Sequence, residues 1–450
     1  MRLNVTADQL AYLLDGEIRG QTRQITGISF DSRTTAPGDV FIALTSELVD
    51  GHDFVEQAFE RGAVAALVER WVSASGTQIK VTNCLDSLRE WGRSARQSSS
   101  AHFVGITGSA GKTTVKTLLA YLLSAVGPTA ATQGNYNNEI GVPLTLLGVT
   151  PEDEYAVVEM GARRRGDIAY LCSMVRPAIR ILTAVMPAHI ETFGSIETIA
   201  QTKGEIFDHM QASDLAIMPA ESPYRDQWVA RANGRIMTFG SSPIADMRIL
   251  SVIDLGFDGI KLTLSGFGDE VTFQAPLLGV HNAGNIAAAA LAACELGLSL
   301  DSVAQRLASF EPVAGRMTPR LTTRGQKLID DTYNANPEAM QQALHTLGLT
   351  AGRTLAILGP MAELGDNSSN YHQQVLDYAL AVGINELWLC GNSWPISDHA
   401  SIRYFTSPEE IMERLGDTRE ADLILVKASR SARLDRLVTR LIDQSQEDAC

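Results

Sequence analysis

The ten residues at 105–114, GITGSAGKTT, have the types and spacing of a phosphate-binding loop. They follow an apolar run at 103–106 that is typical of a strand, and they precede an amphipathic helical pattern formed by Val115, Leu118, Leu119 and Leu122. Glycines let backbone N–H groups approach a polyphosphate, and the following helix directs its positive end at the anion. Lys112 adds a cation, and Thr113 offers a hydroxyl to Mg²⁺. The segment therefore predicts binding of ATP or GTP.

One glycine departs from the strict pattern of this loop. Four residues between the two glycines would place the first at position 106, where the chain has Ile106, and Gly105 lies one position earlier. We interpret the glycines at 105, 108 and 111 together as the cradle for the phosphates. The predicted nucleotide contacts in this segment are Gly108, Ser109, Ala110, Gly111, Lys112, Thr113 and Thr114.

Three further groups follow successive strand patterns in the same part of the chain. Glu159 closes the apolar run 155–158, His189 follows a strand pattern at 179–185, and Lys203 lies in the helical context IAQTKGEIF. Taken singly, each residue type is more often on the surface or in the core. Because the carboxyl ends of parallel strands meet at one edge of a sheet, their joint placement indicates a site beside the nucleotide. Glu159 is the group expected to reach Mg²⁺ there.

Composition excludes several classes of protein. The 450 residues are 45% hydrophobic and 20% charged, which is typical of a globular chain of several domains, and the formal net charge is −15. That charge argues against a general partner of nucleic acid or of anionic membranes. No signal peptide or membrane-spanning stretch is evident, so we expect a cytoplasmic protein without stable membrane association. The five cysteines have no zinc or dithiol spacing, and Cys84, Cys172, Cys294 and Cys390 are predicted to be reduced packing residues.

The order of patterns along the chain predicts an α/β protein of three domains. A small N-terminal α/β domain occupies residues 1–100, with strands near 40–44 and 65–68 and a polar connector at 91–100. A central domain at 101–314 alternates strands and helices, which favours a mainly parallel sheet. The C-terminal domain at 315–450 resembles a doubly wound, Rossmann-like fold with strands at 354–358, 387–390 and 423–426. Ser407 before Pro408 marks a helix start.

Several strings in all three domains resemble the Mur ligases. They are DSR (31–33), DGHDF (50–54), GITGSAGKTT itself, GNYNNEIGVPLTLL (134–147), VVEMGA (157–162), PAHIETFGSIETIAQTKGEIF (187–207), GVHNAGNIAAAA (279–290), GRM (315–317), DDTYNANPEAM (330–340), MAELGD (361–366) and VKASR (426–430). The early glycine at 105 is also this family's form of the loop. GNYNNEIGVP and DDTYNANP resemble the branch that adds a dipeptide, and the DNPR-type signature of the diaminopimelate-adding branch is absent.

The resemblance implies a reaction. It is the ATP-dependent joining of D-alanyl-D-alanine to UDP-N-acetylmuramoyl-tripeptide through an acyl phosphate, with release of ADP and phosphate, in peptidoglycan precursor synthesis. It also implies two Mg²⁺ ions, and a monomer. Thr113, Glu159, His189 and a carbamylated Lys203 are the implied metal ligands. Burial beside cations leaves a lysine neutral enough to capture CO₂ as an anionic carbamate, which can bind a metal.

The remaining site residues are also carried over from the family. Lys112, Lys203, His189 and Arg316 are the implied catalytic groups, with Arg316 reaching the γ-phosphate. Asn282 and Asn285 match contacts to the base, Asp331 matches the residue that accepts the ribose hydroxyls, and Tyr333 is placed against adenine. The implied substrate contacts are Asp31, Ser32, Arg33 and Asn138, and, on the peptide side, Asn334, Asn336, Lys427, Ser429 and Arg430. For the asparagines of the Ala-rich helix, helix capping is the plainer alternative.

The sequence departs from the family pattern at Ala184, Met186, Ser46, Val49 and Ala428, none of which is an implied catalytic group. Two other functions stay open. A different phosphate-loop enzyme, such as a small-molecule kinase or a folate-type ligase, would phosphorylate its product or add glutamate. A non-catalytic nucleotide-binding scaffold would bind ATP without turnover. The first does not explain the DSR and DGHDF strings, and the second would be favoured only if Lys203 were unmodified and metal-free. Neither the third residue of the tripeptide nor a general base follows from the sequence.

Overall fold

A computed structural model describes residues 3–186, 193–362 and 364–443. Contacts divide these residues into two compact units. Unit 1 holds those up to residue 107 together with 127–162 and 166–180, and unit 2 holds 108–126, 163–165 and the residues from 181 onward. The predicted mixed α/β class with mostly parallel sheets is confirmed. The domain boundaries after residues 100 and 314 stay predictions.

The N-terminal part of unit 1 is a five-stranded sheet of order β2-β7-β6-β5-β4, in which only β2 is antiparallel to its neighbour. A separate short pair joins β1 and β3. The apolar strands β5 and β6 are buried between helices, as their composition predicts. The strands are β1 Val5–Thr6, β2 Glu17–Arg19, β3 Gln24–Ile25, β4 Gly27–Ser29, β5 Asp39–Ile42, β6 Ala65–Val68 and β7 Thr77–Lys80; the helices are α1 Ala7–Leu13, α2 Val55–Glu60 and α3 Cys84–Ser98.

The predicted connector at 91–100 is wrong over most of its length. Helix α3 continues to Ser98 and buries Cys84, Leu88 and Trp91. The polar composition suggested a solvated connector, but an arginine of α3 makes tertiary contacts. Arg96 Nε donates to the carbonyl of Val175 (2.6 Å), and the Arg96 guanidinium lies over the ring of Phe103. Long side chains of this kind cover apolar surface while their sequence reads as a solvated loop.

The central strands of unit 1 are parallel. Strand β8 (His102–Thr107) leads through residues 108–111 into helix α4 (Lys112–Leu123) of unit 2, and the chain returns to unit 1 with β9 (Thr129–Ala131), α5 (Gly141–Leu147), β10 (Tyr155–Glu159) and α6 (Asp167–Val175). Strand β10 pairs in parallel with both β8 and β9, and Glu159 stands opposite Ile106. Glu159 is thus the last residue of its strand, as expected.

The first part of unit 2 combines parallel and antiparallel strands. The parallel strands β12, β13 and β14 continue into an antiparallel meander of β14, β15 and β16. Helix α9 is buried nearly all round and packs on α4, because its alanines allow a close approach. The elements are β11 Ile179–Leu182, whose first two residues belong to unit 1, α7 Ile196–Gly204, β12 Leu215–Pro219, α8 Arg225–Val229, β13 Arg235–Gly240, β14 Met247–Asp254, β15 Ile260–Gly266, β16 Asp269–Ala275, α9 Asn282–Glu295 and α10 Leu300–Leu307.

The C-terminal sheet has the order β17-β18-β22-β19-β20-β21, parallel except for β17. One apolar cluster joins it to α11 and α12, and a second joins it to α13 and α14, so both faces are covered and the doubly wound prediction is confirmed. The elements are β17 Thr318–Leu321, β18 Lys327–Asp331, α11 Pro337–Gly348, β19 Thr354–Leu358, α12 Ser368–Ala381, β20 Glu386–Cys390, β21 Ile402–Phe405, α13 Pro408–Glu413, β22 Leu423–Lys427 and α14 Asp435–Asp443. Ser407 caps α13, as predicted.

Within the described ranges, every helix is too short or too polar to cross a bilayer.

Candidate active site

The loop at 108–111 has the backbone of a phosphate cradle. Gly108 has φ +153° and Gly111 has φ +80°, a region that favours glycine. The neighbouring atoms also exclude a side chain, because a Cβ at Gly108 would collide with Thr183 Oγ1 and one at Gly111 with Asn285 Oδ1. Glycine is therefore required at both positions, and the loop ends at the first residue of α4.

The end of strand β11 holds this loop. The Ser109 N–H donates to the carbonyl of Ala184 (2.7 Å), and the Thr183 hydroxyl donates to the carbonyl of Ala110 (2.6 Å). The Ala184 contact uses the backbone, so the family departure at this position leaves it intact. Ser109 Oγ is enclosed and has no hydrogen-bond partner among the described residues, which leaves it able to serve a ligand.

Lys112 and Thr113 begin helix α4. Lys112 Nζ donates to the carbonyls of Gly108 (2.7 Å) and Ser109 (3.2 Å), so its ammonium lies at the mouth of the loop. Thr113 is buried and Thr114 half-buried. A cation and the positive end of a helix dipole attract anions.

Gly105 does not belong to the cradle. It lies inside strand β8, and a Cβ there would come within 2.7 Å of Met160 Cε and 2.9 Å of Pro177 Cγ. The glycine early in the motif is therefore required by strand packing, and our interpretation of Gly105 as a phosphate contact is wrong.

Glu159 is a positioned, buried carboxylate in unit 1. Glu159 is only 2% exposed. Its Oε1 accepts from Asn137 Nδ2 (2.8 Å), and its backbone N–H donates to Thr132 Oγ1 (3.0 Å). Asn138, the residue after Asn137, is exposed. Its Oδ1 accepts from the N–H groups of Ile140 (3.2 Å) and Gly141 (2.9 Å), at the start of α5.

Lys203 lies in helix α7 and is only 3% exposed, which is rare for a lysine. Its Nζ is 5.9 Å from the ring centre of Phe193. His189 lies outside the described residues. Among those that are described, no group of three or more His, Cys, Asp and Glu side chains is arranged to hold a metal ion.

The two asparagines of the Ala-rich segment are in the first turn of helix α9. Asn282 Nδ2 donates to the carbonyl of Leu278, and Asn285 Nδ2 donates to Asn282 Oδ1, both at 2.8 Å. Because Asn285 Oδ1 also lies against Gly111, the pair joins the start of α9 to the phosphate loop. The helix is preceded by His281 and not capped by either asparagine.

Arg316, Asp331 and Tyr333 come together in the C-terminal part of unit 2. The Arg316 guanidinium lies 4.0 Å from the ring centre of Tyr333, and the Tyr333 hydroxyl has no partner in the described part of the chain. Asp331 is buried and pairs with Lys427. Asn334 is exposed and accepts from the N–H of Ala335.

The predicted peptide-side residues have internal roles as well. Asn336 Oδ1 accepts from the Ala339 N–H (2.8 Å) and is the N-cap of helix α11. Ser429 is buried and its hydroxyl accepts from the Ala362 N–H (2.8 Å). Arg430 is exposed and pairs with Asp435 at 3.5 Å.

The predicted uridine-diphosphate contacts lie after strand β4. Arg33 makes a bidentate contact with Asp31: Nε donates to Oδ1 (2.9 Å) and Nη2 donates to Oδ2 (2.7 Å). The Arg33 side chain is 79% exposed. The Arg33 guanidinium lowers the pKa of Asp31 to about 2. Ser32 is buried and donates to Gln57 Oε1 (2.6 Å). An exposed, pre-oriented guanidinium suits a phosphate ligand.

Sequence reasoning missed two residues that position candidate site groups, one within each unit. Asn137 orients Glu159, and Thr183 closes the loop on the carbonyl of Ala110. Asn137 stands within GNYNNEIGVP, but its partner is 22 positions away, and Thr183 lies outside every quoted string. Only the position of Thr183 at a strand end signalled its role.

Known proteins are similar to this chain along its length. Family models match at residues 24–87 (Mur ligase family, catalytic domain), 106–293 (Mur ligase middle domain) and 315–430 (Mur ligase, glutamate ligase domain). The UDP-N-acetylmuramoyl-tripeptide–D-alanyl-D-alanine ligase of Escherichia coli (strain K12) is 36% identical over 445 residues, which cover 98% of each chain. That of Synechocystis is 36% identical over 436 residues, 94% of this chain and 93% of the relative.

Solved structures agree. A crystal structure of MurF from Acinetobacter baumannii superposes with a TM-score of 0.89 at 28% identity and covers 98% of this chain and 99% of that one. MurF ligase from Thermotoga maritima in complex with ADP has a TM-score of 0.81 at 30% identity, with 94% and 98% coverage.

Proposed function

The chain belongs to the Mur ligase family, and from this membership we propose that it is an ATP-dependent ligase that joins D-alanyl-D-alanine to UDP-N-acetylmuramoyl-tripeptide. The observation that carries the proposal is the extent of the likeness. The relatives that bear this name match the chain from the first sheet to the last. The phosphate loop supplies the nucleotide chemistry that such a ligase needs.

The chemistry requires activation of an acid. A carboxylate does not react with an amine at neutral pH, so the γ-phosphoryl group of ATP is first transferred to the terminal carboxylate of the tripeptide. Transfer between two anions depends on alignment and charge neutralisation. Lys112 and the N–H groups of the loop neutralise the phosphates, and Arg316 contacts the γ-phosphate. The amine of D-alanyl-D-alanine then displaces phosphate from the acyl phosphate, while water is excluded.

The donor chemistry of the described residues fits Mg²⁺. Glu159 presents a buried carboxylate that Asn137 orients, and Thr113 adds a hydroxyl oxygen, and Mg²⁺ prefers oxygen ligands. We assign Thr113, Glu159, His189 and carbamylated Lys203 to two ions. When bound, Mg²⁺ neutralises phosphate oxygens and aligns them with the acid. The burial of Lys203 supports the carbamate, because burial disfavours an ammonium.

Two groups of residues take the other substrates. Asp31, Ser32 and Arg33 serve the uridine-diphosphate end, supported by the exposed guanidinium of Arg33, and Asn138 is a further substrate contact. Asn334, Asn336, Ser429 and Arg430 serve the peptide side, where Arg430 is the exposed cation. ATP and a UDP-linked precursor are cytoplasmic compounds, so we place the reaction in the cytoplasm.

The test is phosphate release with each substrate omitted in turn. We expect turnover only when ATP, UDP-N-acetylmuramoyl-tripeptide and D-alanyl-D-alanine are all present, with one ADP formed per amide bond. A kinase would release ADP without the dipeptide, a folate-type ligase would require glutamate, and a scaffold would bind ATP without turnover. Any of these results overturns the proposal.

The carbamate has its own test. Lys203→Ala removes the anionic ligand, so we expect loss of ligase activity and partial recovery when a short-chain carboxylate is added. Lys261→Ala, which alters an exposed lysine of β15, is the matched control and should neither lose activity nor respond to the carboxylate. A folded Lys203→Ala enzyme that the carboxylate does not rescue contradicts the carbamate.

A further inference from the structure

Lys427 is a buried cation at the end of strand β22. Its residue is 1% exposed, and Nζ donates to Asp331 Oδ2 (2.5 Å) and to the carbonyl of Asn334 (2.9 Å). A buried ammonium persists only where charge and hydrogen bonds compensate its lost hydration. Each acceptor is tied to a segment beside Arg316: Asp331 contacts the turn that carries Arg316, and Asn334 directly follows Tyr333, on whose ring Arg316 lies.

The first segment is the turn that carries Arg316. Asp331 Oδ1 accepts from the Met317 N–H (3.1 Å), and Asp330 Oδ2 accepts from the Gly315 N–H (2.8 Å). The backbone is thus fixed immediately before and after Arg316. Met317 has φ +50°, an unfavourable conformation for a residue with a side chain, so the turn needs such contacts to hold it.

The second segment carries the ring on which Arg316 lies. Asn334, whose carbonyl accepts from Lys427, directly follows Tyr333, and the Tyr333 N–H donates to the carbonyl of Gly315 (3.0 Å). The Arg316 guanidinium lies 4.0 Å from the Tyr333 ring centre, a cation–π distance. One ammonium therefore supports both the turn and the ring.

We propose that Lys427 is a positioning residue that orients Arg316 by holding its turn through Asp331 and its tyrosine platform through Asn334. The proposal rests on the proposed function in one respect, the role of Arg316 at the γ-phosphate. It gives Lys427 a role other than contact with a substrate carboxylate, in keeping with its burial and with the two acceptors that its ammonium already serves.

Arginine NMR tests the geometry without reference to activity. A guanidinium over an aromatic ring gives an upfield-shifted Nε–Hε resonance, assigned to Arg316 by its loss in Arg316→Lys. We expect Lys427→Met to move it to the position of exposed arginines. That variant leaves Asp331 buried without its cation and can unfold, so Lys427→Met/Asp331→Asn, which removes both charges, is measured beside it.

Two controls make this result specific. Arg403→Met removes a cation that pairs with Glu386 on the same sheet and should leave the resonance in place. Tyr333→Phe retains the ring and should retain the shift. If either Lys427 variant has a native circular-dichroism spectrum and an unmoved Arg316 resonance, the proposal is overturned.

Kinetics supply the second arm, once three-substrate turnover of the unaltered enzyme is measured. We expect Lys427→Met to lower kcat by on the order of 10- to 100-fold, with a smaller change in KM for ATP. In a double-mutant cycle, Arg316→Gln should add little to that loss, because both changes remove one contact. Additive losses overturn the positioning role. Absence of turnover in the unaltered enzyme would instead overturn the proposed function and leave the NMR result standing.

Discussion

Gly111 is the residue at which loop conformation and packing limit the sequence most strictly. Its φ of +80° costs a residue with a side chain about 1–2 kcal/mol, and Asn285 Oδ1 occupies the space that a Cβ needs. We predict that Gly111→Ala displaces the loop and weakens ADP binding by at least about tenfold, the equivalent of 1.4 kcal/mol. Titration calorimetry with ADP and Mg²⁺ measures the Kd for ADP of the variant and of the unaltered protein.

Gly284 is the matched control, three positions into helix α9. An alanine Cβ there meets only Phe239, at 4.0 Å, and the helix interior favours alanine over glycine by about 1 kcal/mol. Gly284→Ala should therefore raise the free energy of unfolding and leave ADP affinity unchanged. Equal ADP affinities for the two variants would refute the conformational argument.

Single residues show which parts of the site a sequence can reveal. The loop and Glu159 are readable because their function follows from residue type beside a local element. The Lys427 to Asp331 pair joins positions 96 apart, and no local periodicity reports it. Gly105 was misinterpreted since a glycine required by strand packing looks the same in sequence as one required by a phosphate.

At the scale of elements, the start of helix α11 has two competing explanations. Asn336 caps the helix, and the proposed function also places it on the peptide side. Asn336→Ala should cost about 1 kcal/mol of stability. Asn336→Asp keeps a capping oxygen, so its stability should be retained. If Asn336 also contacts the dipeptide, Asn336→Asp raises KM for D-alanyl-D-alanine.

Ser407 provides the control for that comparison. It caps α13, which packs on the same sheet, and it is assigned to no substrate. Ser407→Ala should lose a similar free energy of unfolding in urea titrations and leave every KM unchanged. An unaltered dipeptide KM in Asn336→Asp would reduce Asn336 to a cap.

Helix α12 supports the segment after strand β19 through His372. Its Nε2 accepts from the Met361 N–H (3.1 Å) while Nδ1 donates to the Ser368 carbonyl (2.8 Å), so the ring is neutral in the fold. Burial lowers the pKa of His372 below 6.5, against a smaller opposing effect of that carbonyl. The stability it contributes is therefore present above pH 6.5 and lost as pH falls.

Urea unfolding at pH 7.5 and pH 5.5, spanning the ordinary histidine pKa of about 6.5, tests this. The unaltered protein should lose more free energy of unfolding on acidification than His372→Gln, whose side-chain oxygen can still accept from Met361 and does not titrate. An identical pH dependence in the two proteins would contradict it.

Over the whole molecule, elements were easier to predict than their extent. The strands at 65–68 and 354–358 agree with β6 and β19 because buried parallel strands read as continuous apolar runs. The second half of helix α3 was interpreted as a polar connector, since its arginines are used in contacts that sequence does not display. The division into two units follows from long-range contacts and could not be predicted from the order of patterns.

That division separates the proposed ligands. Every predicted nucleotide contact, from Gly108 to Tyr333, belongs to unit 2, whereas Asp31, Ser32, Arg33 and Asn138 belong to unit 1. A ligand that binds only the folded form adds about 2.7 kcal/mol to the free energy of unfolding at 100 times its Kd. Amide exchange that requires unfolding of the unit holding the ligand therefore slows about 100-fold. Hydrogen exchange should therefore show ADP protecting α4 and α9, and UDP protecting β5 and β6. Protection of β5 and β6 by ADP alone would show that the nucleotide contacts are misassigned.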